Sequence, residues 1–239
     1  MRLLGRLPQR RVEPELMDQP GLDPVEHRAA LRGLARINWL SGTARACWPW
    51  LRLLAQEQPG TPLRVLDVAC GGGDVSRALW KRACKAGIPM ILEGCDRSPL
   101  ACAFATEAAL RAGAEVRYFV RDFRELEASP ATVDVALCCL FLHHLSDDQA
   151  VELLRLLQTV ARRAVIISDL RRCRLGWLAA WAGTRLLTRN RLCHVDGPRS
   201  VDAAFTLDEA RDLASHAGLP GAILQPCWPW RFVLVWRRP

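Results

Sequence analysis

Between Leu63 and Asp169 the chain alternates short, continuous apolar runs with longer segments whose apolar residues recur every three or four positions. Continuous apolar runs suit strands buried on both faces, and the helical spacing between them suits the crossovers of a parallel sheet. The pattern predicts strands at Leu63–Ala69, Met90–Cys95, Glu115–Val120, Val133–Cys139 and Ala164–Asp169, with helices over 74–86, 98–112 and 147–162. Independent start signals support the helices. Ser98-Pro99 supplies a cap and a first-turn proline, and Ser146 stands three residues before Gln149 as in a capping box.

The flanks extend this frame. Asp23-Pro24-Val25-Glu26 opens a helix over about 24–37, and a second apolar helix covers Thr43 to Gln56 before Pro59-Gly60-Thr61-Pro62 breaks the pattern. After Asp169 the alternation stops until Thr206-Leu207-Asp208-Glu209 opens the last helix, so 171–206 is a helical insertion or lid. Two final strands, about Gly221–Pro226 and Arg231–Trp236, are close enough to pair as an antiparallel hairpin. The expected fold is α/β: a doubly wound, mostly parallel seven-stranded sheet with a C-terminal antiparallel hairpin, N-terminal helices and an insertion after strand 5. Residues 1–23 are rich in Pro, Arg and Glu and read as a disordered leader. Residues 24–239 read as a single domain, made of a helical cap (24–62), a core (63–170), the insertion (171–206) and a final helix with hairpin (207–239).

Composition adds constraints. The 239 residues suffice for one substantial core. Ten scattered cysteines without a CxxC pair read as reduced, buried thiols, which argues for a cytoplasmic protein and against a structural metal. The leader lacks the apolar stretch of a secretory signal, and no segment approaches the ~20 apolar residues of a membrane span. A formal net charge of +8 keeps a nucleic-acid methyltransferase or binding module open as an alternative, although the arginines are spread along the chain.

The segment richest in chemistry is Val65-Leu66-Asp67-Val68-Ala69-Cys70-Gly71-Gly72-Gly73-Asp74, a buried strand running through a glycine turn into a helix. Such a turn lets a nucleotide-like ligand approach the backbone. Asp96-Arg97, at the end of the next strand, puts a carboxylate where a ribose would lie. A nicotinamide-dependent oxidoreductase shares these features, but a third glycine would be expected at Ser76, Asp67 precedes the turn, and no added basic group awaits a pyrophosphate.

Together with Arg121-Asp122-Phe123 and Phe141-Leu142-His143-His144-Leu145, these segments resemble class I S-adenosylmethionine-dependent methyltransferases, nearest to the quinone-biosynthesis and small-molecule branch. The resemblance covers about 63–170; Ala69 stands where the family commonly has glycine. It implies that S-adenosyl-L-methionine is held by Asp67, Ala69, Cys70 and Gly71–Gly73 at its methionine end and by Asp96 and Arg97 at its ribose. Asp122 would meet the adenine amino group, with Phe123 beside the ring.

Methyl transfer from a sulfonium needs alignment, exclusion of water and, for a hydroxyl acceptor, removal of a proton. His143 and His144 follow the fourth strand and are the candidate bases. Metal binding by His143, His144, Asp147 and Asp148 is disfavoured because the two acids suit the first turn of a helix. No Asn/Asp-Pro-Pro-aromatic segment follows the fourth strand, which argues against amino methylation of adenine or glutamine. The expected acceptor is a small aromatic or lipophilic molecule resembling a phenol or quinol. Trp177 and Trp181 are expected to wall it, and Arg171 or Arg172 to orient an acidic group.

Overall fold

The computed structural model describes residues 9–19, 21–128 and 132–239. Its strands are β1 (Leu63–Val68), β2 (Met90–Asp96), β3 (Val116–Val120), β4 (Val133–Cys139), β5 (Ala161–Leu170), β6 (Ile223–Cys227) and β7 (Arg231–Arg237). Its helices are α1 (Pro24–Ser41), α2 (Thr43–Gln56), α3 (Asp74–Ala86), α4 (Pro99–Ala112), α5 (Asp147–Val160), α6 (Arg174–Leu187), α7 (Arg191–Ala203) and α8 (Leu207–His216). The sheet order is β3-β2-β1-β4-β5-β7-β6, with β1 to β5 mutually parallel and β7 antiparallel to both β5 and β6. Strand order reverses between β1 and β4, the switch point beyond which ligands bind in open sheets.

Alternating strand residues feed two packed layers. Val65, Val135, Leu137, Ile166 and Val233 pack with Leu51, Leu54 and Leu79 of α2 and α3. Leu66, Val68, Cys138, Ile167, Phe232 and Trp236 pack with Leu153, Leu157 and Leu213 of α5 and α8. The caps are those the sequence signals: Ser98 accepts from Ala101, and Ser146 and Thr206 each close a capping box. The fifth strand starts three residues earlier than its pattern predicts, because Ala161 is already extended where α5 ends and a register shift lets Val133 pair with it.

The insertion is two helices, α6 and α7, packed through small residues. A Cβ on Gly197 would stand 2.5 Å from the Thr184 methyl. The N-terminal segment departs from its expected disorder over residues 9–19, which lie across the carboxyl edge of the sheet. Arg10 donates to the carbonyls of Ala203 (2.7 Å) and Leu145 (2.5 Å), and the Leu16 and Met17 amides donate to the Asp196 carboxylate. Residues 1–8 lie outside the described part.

Ala69 adopts φ +56°, the left-handed region that penalises any Cβ. Ala69→Gly is expected to raise stability by about 0.5–1 kcal/mol, since relief of strain exceeds the entropy glycine adds to the unfolded chain. Denaturant melts compared at equal slope check this; a lower midpoint would show that the turn is not strained.

Candidate active site

A cavity of about 630 Å³ opens at the switch point, within the usual size range for small-molecule sites. Its floor is the glycine turn after β1. Asp67 is buried; Ser76 donates to its Oδ2 at 2.9 Å, while its Oδ1 has no donor among the described residues. Burial raises its carboxyl to about 7, only partly offset by that hydrogen bond. An unpartnered carboxylate oxygen in such surroundings fits a cationic or N–H-bearing ligand. Gly71 has φ +52° and open space where a Cβ would stand, which keeps the turn free for a ligand.

Asp96, at the end of β2, lines the same cavity. Both its oxygens already accept backbone bonds, Oδ2 from the Gly71 amide and Oδ1 from the Ser98 amide, each at 2.9 Å. Each carboxylate oxygen retains a lone pair, so the bonds fix the group without exhausting it. Ala69, Cys70, Gly72, Arg97, Asp122 and Phe123 also line the cavity. Gly73 does not; it caps α3, and a Cβ there would strike the Tyr118 ring.

The opposite wall carries the titratable cluster. His143 and His144 lie in a single 3₁₀ turn after β4, and Asp169 ends the buried part of β5. The His143 Nδ1 lies 2.6 Å from Asp169 Oδ1, and the His143 amide donates to Asp169 Oδ2. Glu15, from the N-terminal segment, brings Oε1 to 3.8 Å from the Nε2 of both histidines and accepts from the Ser200 hydroxyl at 2.5 Å. At 3.8 Å the contact with His143 is an ion pair, not a hydrogen bond.

Burial alone would depress the His143 imidazole, but the charge and hydrogen bond of Asp169, joined by Glu15, raise it to about 9. Burial likewise opposes the charged forms of Asp169 and Glu15. His143 outweighs it, holding Asp169 below the ordinary carboxylate range and helping to bring Glu15 down to about 2. His144 is depressed by burial and by the charge of its neighbour. Glu15, His143 and His144 have the composition of a metal site, with ligating atoms within 4.8 Å of one another. The carboxylates on either side of His143 favour a proton in that position.

The insertion residues named from sequence fall elsewhere. Trp177 donates its indole N–H to Asp202 (3.1 Å), Trp181 is 42% exposed, and neither lines the cavity. Arg172 is locked to the Ala204 carbonyl and Glu209 Oε1, and Arg171 is absent from the lining. The wall is instead the opposite face of α6, with Ala179, Ala180, Gly183 and Thr184. The buried cation on the cavity is Arg231, at the start of β7. It donates to the Thr43 hydroxyl and has no carboxylate within ion-pair distance among the described residues. Asp169 carried a sequence signal, an acid at the end of a buried strand like Asp67 and Asp96. Glu15 carried none.

Residues 65–164 match the family model described as "Methyltransferase domain". No curated protein matches the chain by sequence. Among solved structures, the plantazolicin methyltransferase BpumL in complex with SAH is similar at a TM-score of 0.63 and 14% identity, covering 90% of this chain and 96% of that one. Magnesium protoporphyrin IX methyltransferase from Synechocystis with bound SAM scores 0.54 at 16% identity, covering 94% and 88%. A SAM-dependent methyltransferase from Aquifex aeolicus scores 0.59 at 17% identity, covering 90% and 98%. At such identities the likeness is one of fold.

Proposed function

We propose that this chain, whose residues 65–164 match a methyltransferase-domain model and which shares the fold of S-adenosylmethionine-dependent methyltransferases, transfers a methyl group from that cofactor to the hydroxyl of a small, aromatic or lipophilic acceptor, with His143 as the base. The observation that carries this reading is the buried Asp169–His143 pair at 2.6 Å, on the wall of the cavity whose floor is the glycine turn. Bound S-adenosylmethionine supplies an electrophilic methyl group on a sulfonium. Of the residues lining the cavity, Asp67 would hold its amino end, Asp96 its ribose hydroxyls, and Asp122 with Phe123 its adenine.

The chain's own part is to orient the acceptor and remove its proton. A phenol has a pKa near ~10. In its neutral form, a histidine held at about 9 accepts that proton at nearly matched free energy and is a stronger base than an unperturbed imidazole near ~6.5, but that form is scarce until the pH nears 9. Asp169 fixes the ring through Nδ1 and leaves Nε2 toward the Glu15 side. Leu31, Leu34, Ile37, Leu140 and Leu170 supply apolar wall for a ring or chain. Arg231, a buried charge without a counter-ion at bonding distance among the described residues, suits an acidic substituent on the acceptor. Ten unpaired cysteines support a reducing compartment and hence the cytosol.

The test is a pH profile. His143 can accept a proton only once it has lost its own, so kcat/KM is expected to rise with pH up to about 9 and then level. Glu15→Gln removes one of the anions that raise His143, so the midpoint should move to lower pH. Stability runs the other way: the raised histidine stabilises the fold fully below its unfolded value near ~6.5 and loses that contribution as pH passes about 9. A profile flat from pH 6 to 10 in both proteins would remove His143 from the base role.

A further inference from the structure

Helix α6 has two faces of opposite use. Ala180, Gly183 and Thr184 turn toward the cavity, whereas Arg174, Leu175, Leu178, Trp181, Arg185 and Leu186 share the outer face. The outer apolar residues are conspicuously bare: Leu178 is 54% and Leu186 84% exposed. A monomer gains nothing by leaving such side chains together in water.

The charges carried by this face, Arg174 and Arg185, have one sign. Between Asp169 and Asp196 there is no acid, while Arg171, Arg174, Arg185, Arg189 and Arg191 fall in the same stretch; Arg172 is buried against Glu209. Arg185 lies over the Trp181 ring at 4.5 Å and bonds the Trp181 carbonyl, so cation and indole are presented side by side. Leucine and tryptophan on a helix edged by arginines is the composition of a helix that lies in a bilayer interface. No described helix is long and apolar enough to cross a membrane, so the contact would be peripheral.

We propose that the outer face of α6 docks this protein on an anionic phospholipid surface. A second copy fits less well, because a two-fold contact would set this arginine-edged face against itself. A nucleic acid fits less well too, since leucines between the arginines offer nothing to a phosphate backbone. Docking through α6 puts its inner face, and thus the cavity wall, within one helix diameter of the lipid. A lipophilic acceptor then has a short path from bilayer to site. The docking stands independently of the acceptor's identity, because lipid binding is measured without one.

The experiment is co-sedimentation of the full chain with vesicles of phosphatidylcholine alone or mixed with phosphatidylglycerol. Binding is expected only with the anionic mixture and should weaken as salt is raised. Leu178→Glu combined with Leu186→Glu should lower partitioning about tenfold or more while melting temperature and binding of the demethylated cofactor stay unchanged. Equal binding to both vesicle types, or an unaffected double variant, would overturn the proposal. So would a dimer that the double variant dissociates with no change in vesicle binding, or a salt-sensitive affinity for duplex DNA with none for vesicles.

Discussion

Replacing His143 with glutamine is expected to lower turnover on a hydroxylated acceptor by ~10²–10⁴-fold, the range typical of a lost general base. Glutamine keeps a polar group beside Asp169 but cannot take a proton, so binding of S-adenosylmethionine should change only a few-fold. The neighbouring ring provides the control. His144 shares the Glu15 contact but has no Asp169 behind it, and burial and the charge of His143 depress it. His144→Gln should cost far less. Steady-state kinetics on both variants, with calorimetry for the cofactor, separates the roles; equal losses would mean that the pair acts through packing and not through Asp169.

The second large effect is expected at Asp96. Its carboxylate ties the glycine turn to the end of β2 through the Gly71 and Ser98 amides, leaving lone pairs for ligand hydroxyls. Asp96→Ala removes a charged acceptor from a largely buried place, a loss of about 1.5–3 kcal/mol, or roughly 10–150-fold in cofactor affinity. Titration calorimetry with the demethylated cofactor checks it on a variant first shown to fold. Unchanged affinity would mean that Asp96 serves only the turn.

The core was legible because its strands are buried on both faces and write themselves as unbroken apolar runs, bounded by the caps Ser98, Ser146 and Thr206. The cavity floor was legible for a related reason: Asp67, Gly71 and Asp96 stand at strand ends, where the fold places ligands. The other wall was not. Glu15 reaches His143 across the whole sheet edge, and nothing in its polar, proline-broken neighbourhood marks it; the contact exists because Arg10 and the Asp196 carboxylate stitch the segment down.

Trp177 and Trp181 show a different difficulty. Their spacing fixes a common side of α6, but not which side faces in. Small residues decide it. Gly176 lets the start of α6 approach the hairpin turn, and Thr184 packs onto Gly197 of α7, which has no room for a Cβ. Trp181 is left toward the outside, and Trp177 turns to α7, where it bonds Asp202. Arg172 was diverted in the same way, by the carbonyl of Ala204 and by Glu209, while Arg231 hid within the apolar run of the last strand.

The most direct test of methyl transfer to a hydroxyl is to supply S-adenosylmethionine labelled in its methyl group together with a panel of lipophilic phenols and quinols, and to locate the label in any product. The account predicts label on oxygen, formed faster toward pH 9 and nearly abolished by His143→Gln. Label on carbon or nitrogen, or oxygen methylation that persists undiminished without His143, would contradict it.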